Sequence, residues 1–288
     1  TFIKKKEKVM AEKTGYLHEK FRLFHVCDKK AWTCPYHYHD FDKITLFLQG
    51  HVTYDIEGTS YVLQPFDVVV IPAGQIHRPV IAGDAVYERI IAYLSPSFID
   101  TFARRGFPVL PVFQTPSPIL RQHQEAGSVY STACRLRQAW MVSGTAGDIL
   151  KEAIFTEFLI YLTQAVNEKK IGYVHQNKKN EKIIQVMDYI TAHLTEKLTI
   201  PSIARACFLS PDYIMHLFKE ETGLSIGQYI TTKRLQKARH LIEEGRALTT
   251  VCYDCGFTHY STFYRAWKKQ YAIAPKHGNQ ILDSDFTE

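Results

Sequence analysis

The chain has 288 residues, of which 45% are apolar and 22% charged, with a net charge of +6 and six cysteines. That length allows two domains, each with a full core, and no apolar run approaches the roughly 20 residues that span a bilayer. The basic start, TFIKKKEKVMAEK, lacks the apolar core of a signal peptide. Six irregularly placed cysteines make no disulfide framework in a chain this long, so a reducing cytoplasm is the expected location. The basic excess is uneven, because residues 178–278 hold 15 Lys and Arg against 9 Asp and Glu. A surplus of that kind suits a polyanionic partner.

The first chemical pattern is HYHDFDK, His37 to Lys43, followed by PAGQIH ending at His77. Histidines at alternate positions of a strand share a face, and a third from a neighbouring strand would complete a trio. From Ile44 to Leu94 the reading is β. The runs TLFLQG, HVTYDI, SYVL, DVVVI and AVYERIIAYL are separated by turn signals at Gly50, Glu57-Gly58, Gln64-Pro65 and Pro72-Ala73-Gly74. Even spacing of this kind predicts a small antiparallel barrel or jelly roll occupying residues 1–118. Residues 106–118, with four prolines, can form neither a long helix nor a central strand and are read as the exit from it.

From about Ile119 to residue 170 the expectation is helical. In GDILKEAIFTEFLIYLTQAVNEKK, Asp148 is placed as the cap of a helix over 147–168 with Ile149, Ile154, Phe155, Phe158, Leu159, Leu162 and Val166 on its apolar side. Leu150, Ala153 and Ile160 widen that stripe beyond one contact surface. A second subunit or burial within the chain would each account for the excess, and the region is assigned to homodimerisation. Residues 171–181 read as a polar linker, and 279–288 as an acidic tail.

Residues 182–278 contain an internal repeat at an offset of 48 to 49 residues, SIARACFLSPDYIMHLFKEETG and TVCYDCGFTHYSTFYRAWKKQY. Each copy reads as a short helix, a tight turn and a longer helix. Thr199 caps the first short helix, with Pro201 in its first turn. Ser210 caps the longer helix, Pro211 opens it and Gly223 closes it. Between the copies, SIGQYITTKRLQKARHLIEEG predicts one connecting helix. On the first long helix Tyr213, Ile214, Leu217 and Phe218 are expected inside, with Asp212, Met215, His216 and Lys219 outward. On the second, Phe263 and Trp267 are inside and Tyr260, Ser261, Tyr264, Arg265 and Lys268 outward. These outward residues are the candidates for contact with DNA, Arg265 for a guanine edge and the lysines for phosphates. Cys252 and Cys255 are three apart on one helix with no second pair at ligand spacing, and they are read as small core groups.

LSPDYIMHLFKEETG, then YI before KRLQKARHLI, then CGFTHYSTFYRAWKK and Pro275 together resemble the tandem helix-turn-helix domain of AraC/XylS-type transcription regulators. HYHDF, Gly50 and YVLQPFDVVVIPAGQIH resemble that family's cupin barrel. The resemblance implies a two-domain α+β protein with an N-terminal cupin-like β-barrel or jelly roll with flanking helices. It also implies a C-terminal all-α domain of two helix-turn-helix units joined by a linker helix. Its expected partners are promoter DNA, a small effector of the carbohydrate class and a second copy of itself, with no membrane, no enzymatic activity and no cofactor. His37, His39 and His77 are the ligand-binding candidates. Lys43 stands where the family's metal motif would place a glutamate, and Asp42 should face the other way, so no metal is expected. The alternatives are a cupin metalloenzyme with a helix-turn-helix appendage, and a dimeric DNA-binding regulator that needs no ligand. Ala272 replaces the usual glycine and PKHGNQ the usual ending, so the last short helix is expected weak or missing. Met215 and His216 suit hydrogen-bonded readout poorly, which gives the second repeat the larger share of discrimination.

Overall fold

The computed structural model describes residues 12–13, 17, 19–28, 34–83, 86–121, 127–174, 178–243, 245–271 and 274–275. The readings made for the chain after Pro275, including the final helix and the acidic tail, lie outside them. The chain divides into two compact units, one made of residues 13–34 and 39–178 and the other built mainly from residue 179 onward.

The strands of the described residues are β1 (Glu12–Lys13), β2 (Phe21–Asp28), β3 (His37–Tyr38), β4 (Asp42–Gln49), β5 (Val52–Ile56), β6 (Thr59–Val62), β7 (Val68–Ile71), β8 (His77–Ile81), β9 (Tyr87–Leu94), β10 (Ile119–Arg121), β11 (Gly172–Tyr173) and β12 (Lys178–Lys179). They form two open sheets of six, ordered β1-β3-β8-β5-β6-β12 and β11-β10-β7-β4-β9-β2. This is the jelly-roll alternative rather than a closed barrel. The period-2 pattern decides which side chains meet. Along β4, Ile44, Leu46 and Leu48 pack beneath the helices with Val68, Val70, Ile90, Phe155, Phe158 and Leu162. The alternate residue Phe47 faces the space between the sheets with Tyr54, Ile56, Val69, Ile71 and Tyr87. A strand covered on both faces reads as a continuous apolar run, and β4 is buried from Lys43 to Leu48. At Gly50, φ +134°, a Cβ would come 3.0 Å from the Val86 carbonyl, so the hairpin entry needs glycine.

The helices of this unit are α1 (Pro96–Ala103), α2 (Ser128–Ala139) and α3 (Gly144–Asn167). Three expectations are corrected here. The chain does not turn helical at Ile119, because β10 first returns to pair with β7, through Ile119 and Val69. Residues 171–181 are not simply linker, since β11 pairs with β10 and Ile171 and Val174 are buried. Asp148 also does not cap α3. The helix starts a turn earlier behind Ser143, and Asp148 sits inside it, 2.7 Å from Lys151. Ile154, Phe155, Phe158, Leu159 and Leu162 are buried, while Ile149 and Leu150 are exposed.

The second unit is helical, with α4 (Glu181–Ala192), α5 (Ile200–Ala206), α6 (Pro211–Thr222), α7 (Ile226–Glu243), α8 (Leu248–Asp254) and α9 (Tyr260–Tyr271). Helices α5 and α6 form the first repeat, α8 and α9 the second, and α7 touches both α6 and the second pair. Leu235, Ala238, Leu241 and Ile242 of α7 join Val251, Cys252, Cys255, Phe257, Phe263 and Trp267 in one core.

Candidate functional site

Local chemistry builds the first repeat. Thr199 and Ser202 close a reciprocal capping box at the start of α5. The Ser210 hydroxyl accepts from the Tyr213 N–H, Pro211 opens α6, and Gly223 ends it in the left-handed region at φ +70°. The turn before α6 passes through Phe208, at φ +54° and 91% exposed. The corresponding turn of the second repeat uses Gly256 at φ +85°. A Cβ there would lie 2.7 Å from the Leu194 carbonyl oxygen, which leaves room only for glycine.

Ile214 and Phe218 anchor α6 in the core, and Asp212, Met215 and His216 are exposed with Lys219 half-buried. Tyr213 is not in the core as the helical spacing suggested. It is exposed, accepts a 3.3 Å hydrogen bond from Lys182 of α4 and lies under that ammonium at 4.9 Å. Phe263 and Trp267 fix α9 with no exposure at all. Tyr260, Ser261, Tyr264, Arg265 and Lys268 all face solvent. Arg265 Nε donates to the Ser261 carbonyl at 3.3 Å, folding the guanidinium along its own helix. α9 carries one arginine, two lysines and no acid, whereas α6 carries one lysine and three acids. Cys252 and Cys255 are fully buried, and burial pushes both thiols up, Cys255 to about 11. That environment makes them inert packing groups.

β3 ends at Tyr38, in the stretch 35–38 that groups with the helical unit, and His39 follows in the break before β4. His37, His39 and His77 are all buried, and within the β-rich unit the His39 and His77 rings lie 5.1 Å apart by centroid. His37 and His39 do not share one strand, contrary to what their alternate spacing suggested. His77 Nδ1 lies 2.8 Å from the Gln75 carbonyl, to which only an N–H can bond, so Nδ1 carries the hydrogen. Nε2 is left to accept, and Lys43 Nζ stands 3.2 Å from it. Lys43 also donates to the Tyr54 hydroxyl at 3.4 Å. The Lys43 ammonium is lowered to about 8, chiefly by burial, with Cys34 acting the other way and Arg89 adding to the lowering. Asp42 does face away, and accepts from the Ala73 N–H at 2.8 Å. Sequence reasoning missed Tyr54 and Tyr93, which lie 6.0 Å and 5.6 Å by ring centroid from His77 and His39. The alternation in VTYDI, with Val52, Tyr54 and Ile56 all buried, was the available signal for Tyr54.

These residues do not fit a resident divalent metal. The nitrogen of His77 that would ligate it faces an ammonium, and the position of the missing carboxylate is that same ammonium. A cation placed there would lose one ligand and meet a like charge.

Comparison with known proteins gives the context. The helix-turn-helix domain family matches residues 203–279, and the cupin domain family matches residues 24–91. A probable transcriptional regulator, LumQ of Photobacterium leiognathi, is 26% identical over 83% of this chain and 90% of its own length. YobQ of Bacillus subtilis, an uncharacterised HTH-type transcriptional regulator, is 26% identical over 90% and 95%. The arabinose operon regulatory protein of Escherichia coli is 25% identical over 81% and 78%. Among the described residues, no helix is long and apolar enough to cross a membrane. With tandem helix-turn-helix repeats following a cupin fold, the chain belongs to the AraC/XylS family of DNA-binding transcription regulators.

Proposed function

We propose that the chain is a non-enzymatic regulator that reads promoter DNA with α6 and α9 and answers to a small carbohydrate bound near His37, His39 and His77. The observation that carries the DNA reading is α9. Its polar and basic face stands on a helix locked by two fully buried aromatics, and rigidity of that kind is what base readout needs. Arg265 is assigned to a guanine edge, Tyr260, Ser261 and Tyr264 to neighbouring bases or phosphates, and Lys268 to the backbone. Asp212, Met215, His216 and Lys219 take the equivalent places on α6 with less hydrogen-bonding capacity. The carbohydrate class rests on the buried polar cluster and on a relative named for the arabinose operon.

The assembly is proposed as a homodimer through the start of α3. Met141, Val142, Ile149 and Leu150 are exposed there, although the same helix buries its other face in its own unit. DNA binding by the full-length protein, measured across a salt series with promoter fragments from its own locus, tests the first reading. The affinity should fall steeply with salt as counterions are released, and a flat response would defeat it. His37→Ala and His77→Ala should blunt an effector response while leaving affinity for DNA intact. Unchanged responses in both variants would remove the effector site.

A further inference from the structure

Lys43 is a cation enclosed between two sheets, with no anion among the described residues to answer it. It is 5% exposed, and the partners that hold its Nζ are neutral, an imidazole nitrogen at 3.2 Å and a phenol at 3.4 Å. Among the described residues, no Asp or Glu pairs with it. The neighbouring arginines are treated differently. Arg89 meets Asp28 at 2.6 Å, Arg78 meets Asp55 at 2.9 Å and Arg121 meets Asp67 at 2.6 Å. A fold that matches three cations with carboxylates has left the most deeply enclosed one unmatched. Burying an ammonium without a counter-charge is strongly unfavourable, so such a group is tolerated where it has a use.

The placement also says which use. Lys43 starts on β4 in one sheet and reaches Tyr54 on β5 and His77 on β8 in the other. Its head therefore lies against Nε2 of His77, the acceptor nitrogen a metal would need from that ring. A fixed positive charge there draws an anion, as a metal would, without offering coordination sites. Building on the effector site proposed above, we propose that the effector is an acidic sugar whose carboxylate is held by Lys43. The Lys43 ammonium and the Tyr54 hydroxyl donate to the carboxylate oxygens, and the bound anion supplies the missing counter-charge. A neutral sugar of the same shape leaves the ammonium unmatched and binds more weakly.

The test uses full-length protein and matched probes at constant ionic strength, D-galacturonate against D-galactose and D-gluconate against D-glucitol. Thermal melting reports affinity for the folded state. At least one acid should raise the melting temperature well beyond its neutral partner. Lys43→Met should weaken that acid by about tenfold or more, since a charged hydrogen bond is lost. Without any sugar, Lys43→Met should melt higher than the parent because the uncompensated charge is gone. Lys43→Arg, which keeps the charge, should retain part of the acid preference. Equal shifts from acid and neutral partner, no shift from either acid, or an acid response that survives in Lys43→Met would each overturn the assignment. A D-galactose shift abolished by His37→Ala and His77→Ala would leave the effector site standing and remove only the acidic class.

Discussion

In the first repeat the chain turns at Phe208, φ +54°, into a recognition helix with one lysine and three acids. In the second it turns at Gly256, φ +85°, into one with three bases and no acid. The buried anchors are equivalent, Phe218 in α6 and Trp267 in α9, both with no exposure. What is preserved between the copies is thus the means of holding a helix still, and what differs is the surface the helix presents. Against a polyanion that difference is large. On the proposed function, α9 would attract phosphates over the stretch that holds Arg265, Lys268 and Lys269, while α6 would repel them near its acidic C-terminal end, Glu220 and Glu221, and offers Met215 and His216 at its centre.

The most severe way to break the comparison is to remove an anchor. Trp267→Ala or Phe218→Ala should destabilise by about 3–5 kcal/mol, read as a large fall in the denaturant midpoint. If the repeats are equivalent in packing, the two losses should be alike. Next in size is base readout. Arg265→Ala should cost about 1–3 kcal/mol on the cognate site and relax one position in a randomised-site selection. His216→Ala on α6 should cost less and leave the selected sequence nearly unchanged. A reversed order would show that the first repeat dominates discrimination. Smaller again, Lys268→Ala should weaken all sequences alike and reduce the slope of log affinity against log salt by about 1. The smallest effect is at the first turn. Phe208→Gly should leave stability unchanged or raise it by up to about 1 kcal/mol, because the left-handed backbone is relieved. Gly256→Ala, by contrast, should destabilise clearly, since its Cβ would meet three backbone atoms of Leu194 and Thr195 at under 3.0 Å.

How much of this was legible follows from how local each determinant is. Ser210, Pro211 and Gly223 mark the ends of α6 by short-range hydrogen bonding and backbone preference, and a reader of the sequence finds them without the fold. Asp148 shows the limit of that method. It is an adequate cap by type, but Ser143 already precedes the helix and the preceding turn was free to continue it. β10, β11 and β12 have two or three residues each, too few for any periodicity, and exist because neighbouring strands offer edges to pair with. Tyr213 fits the apolar spacing of α6, yet it goes to the surface because Lys182 on another helix offers its ammonium. The spacing of His37, His39 and His77 was readable in the sequence, and the place of Lys43 came from the resemblance to the family's metal motif. That Lys43 reaches His77 and Tyr54 across the sheets required the register of both.

The loop after α4 is held from both directions. Arg234 of α7 donates to the carbonyls of Leu194 and Glu196 at 2.8 and 2.7 Å, and Gly256 of the second repeat packs against Leu194 and Thr195. Together with the 18-residue α7, about 27 Å long at 1.5 Å per residue, these contacts set the two recognition helices at one separation. On the proposed function, the helical unit is a gauge for distance along the duplex as well as a reader of bases. Two half-sites would be recognised together only at one spacing, and an added half turn of about 5 base pairs would carry one of them to the far side of the DNA.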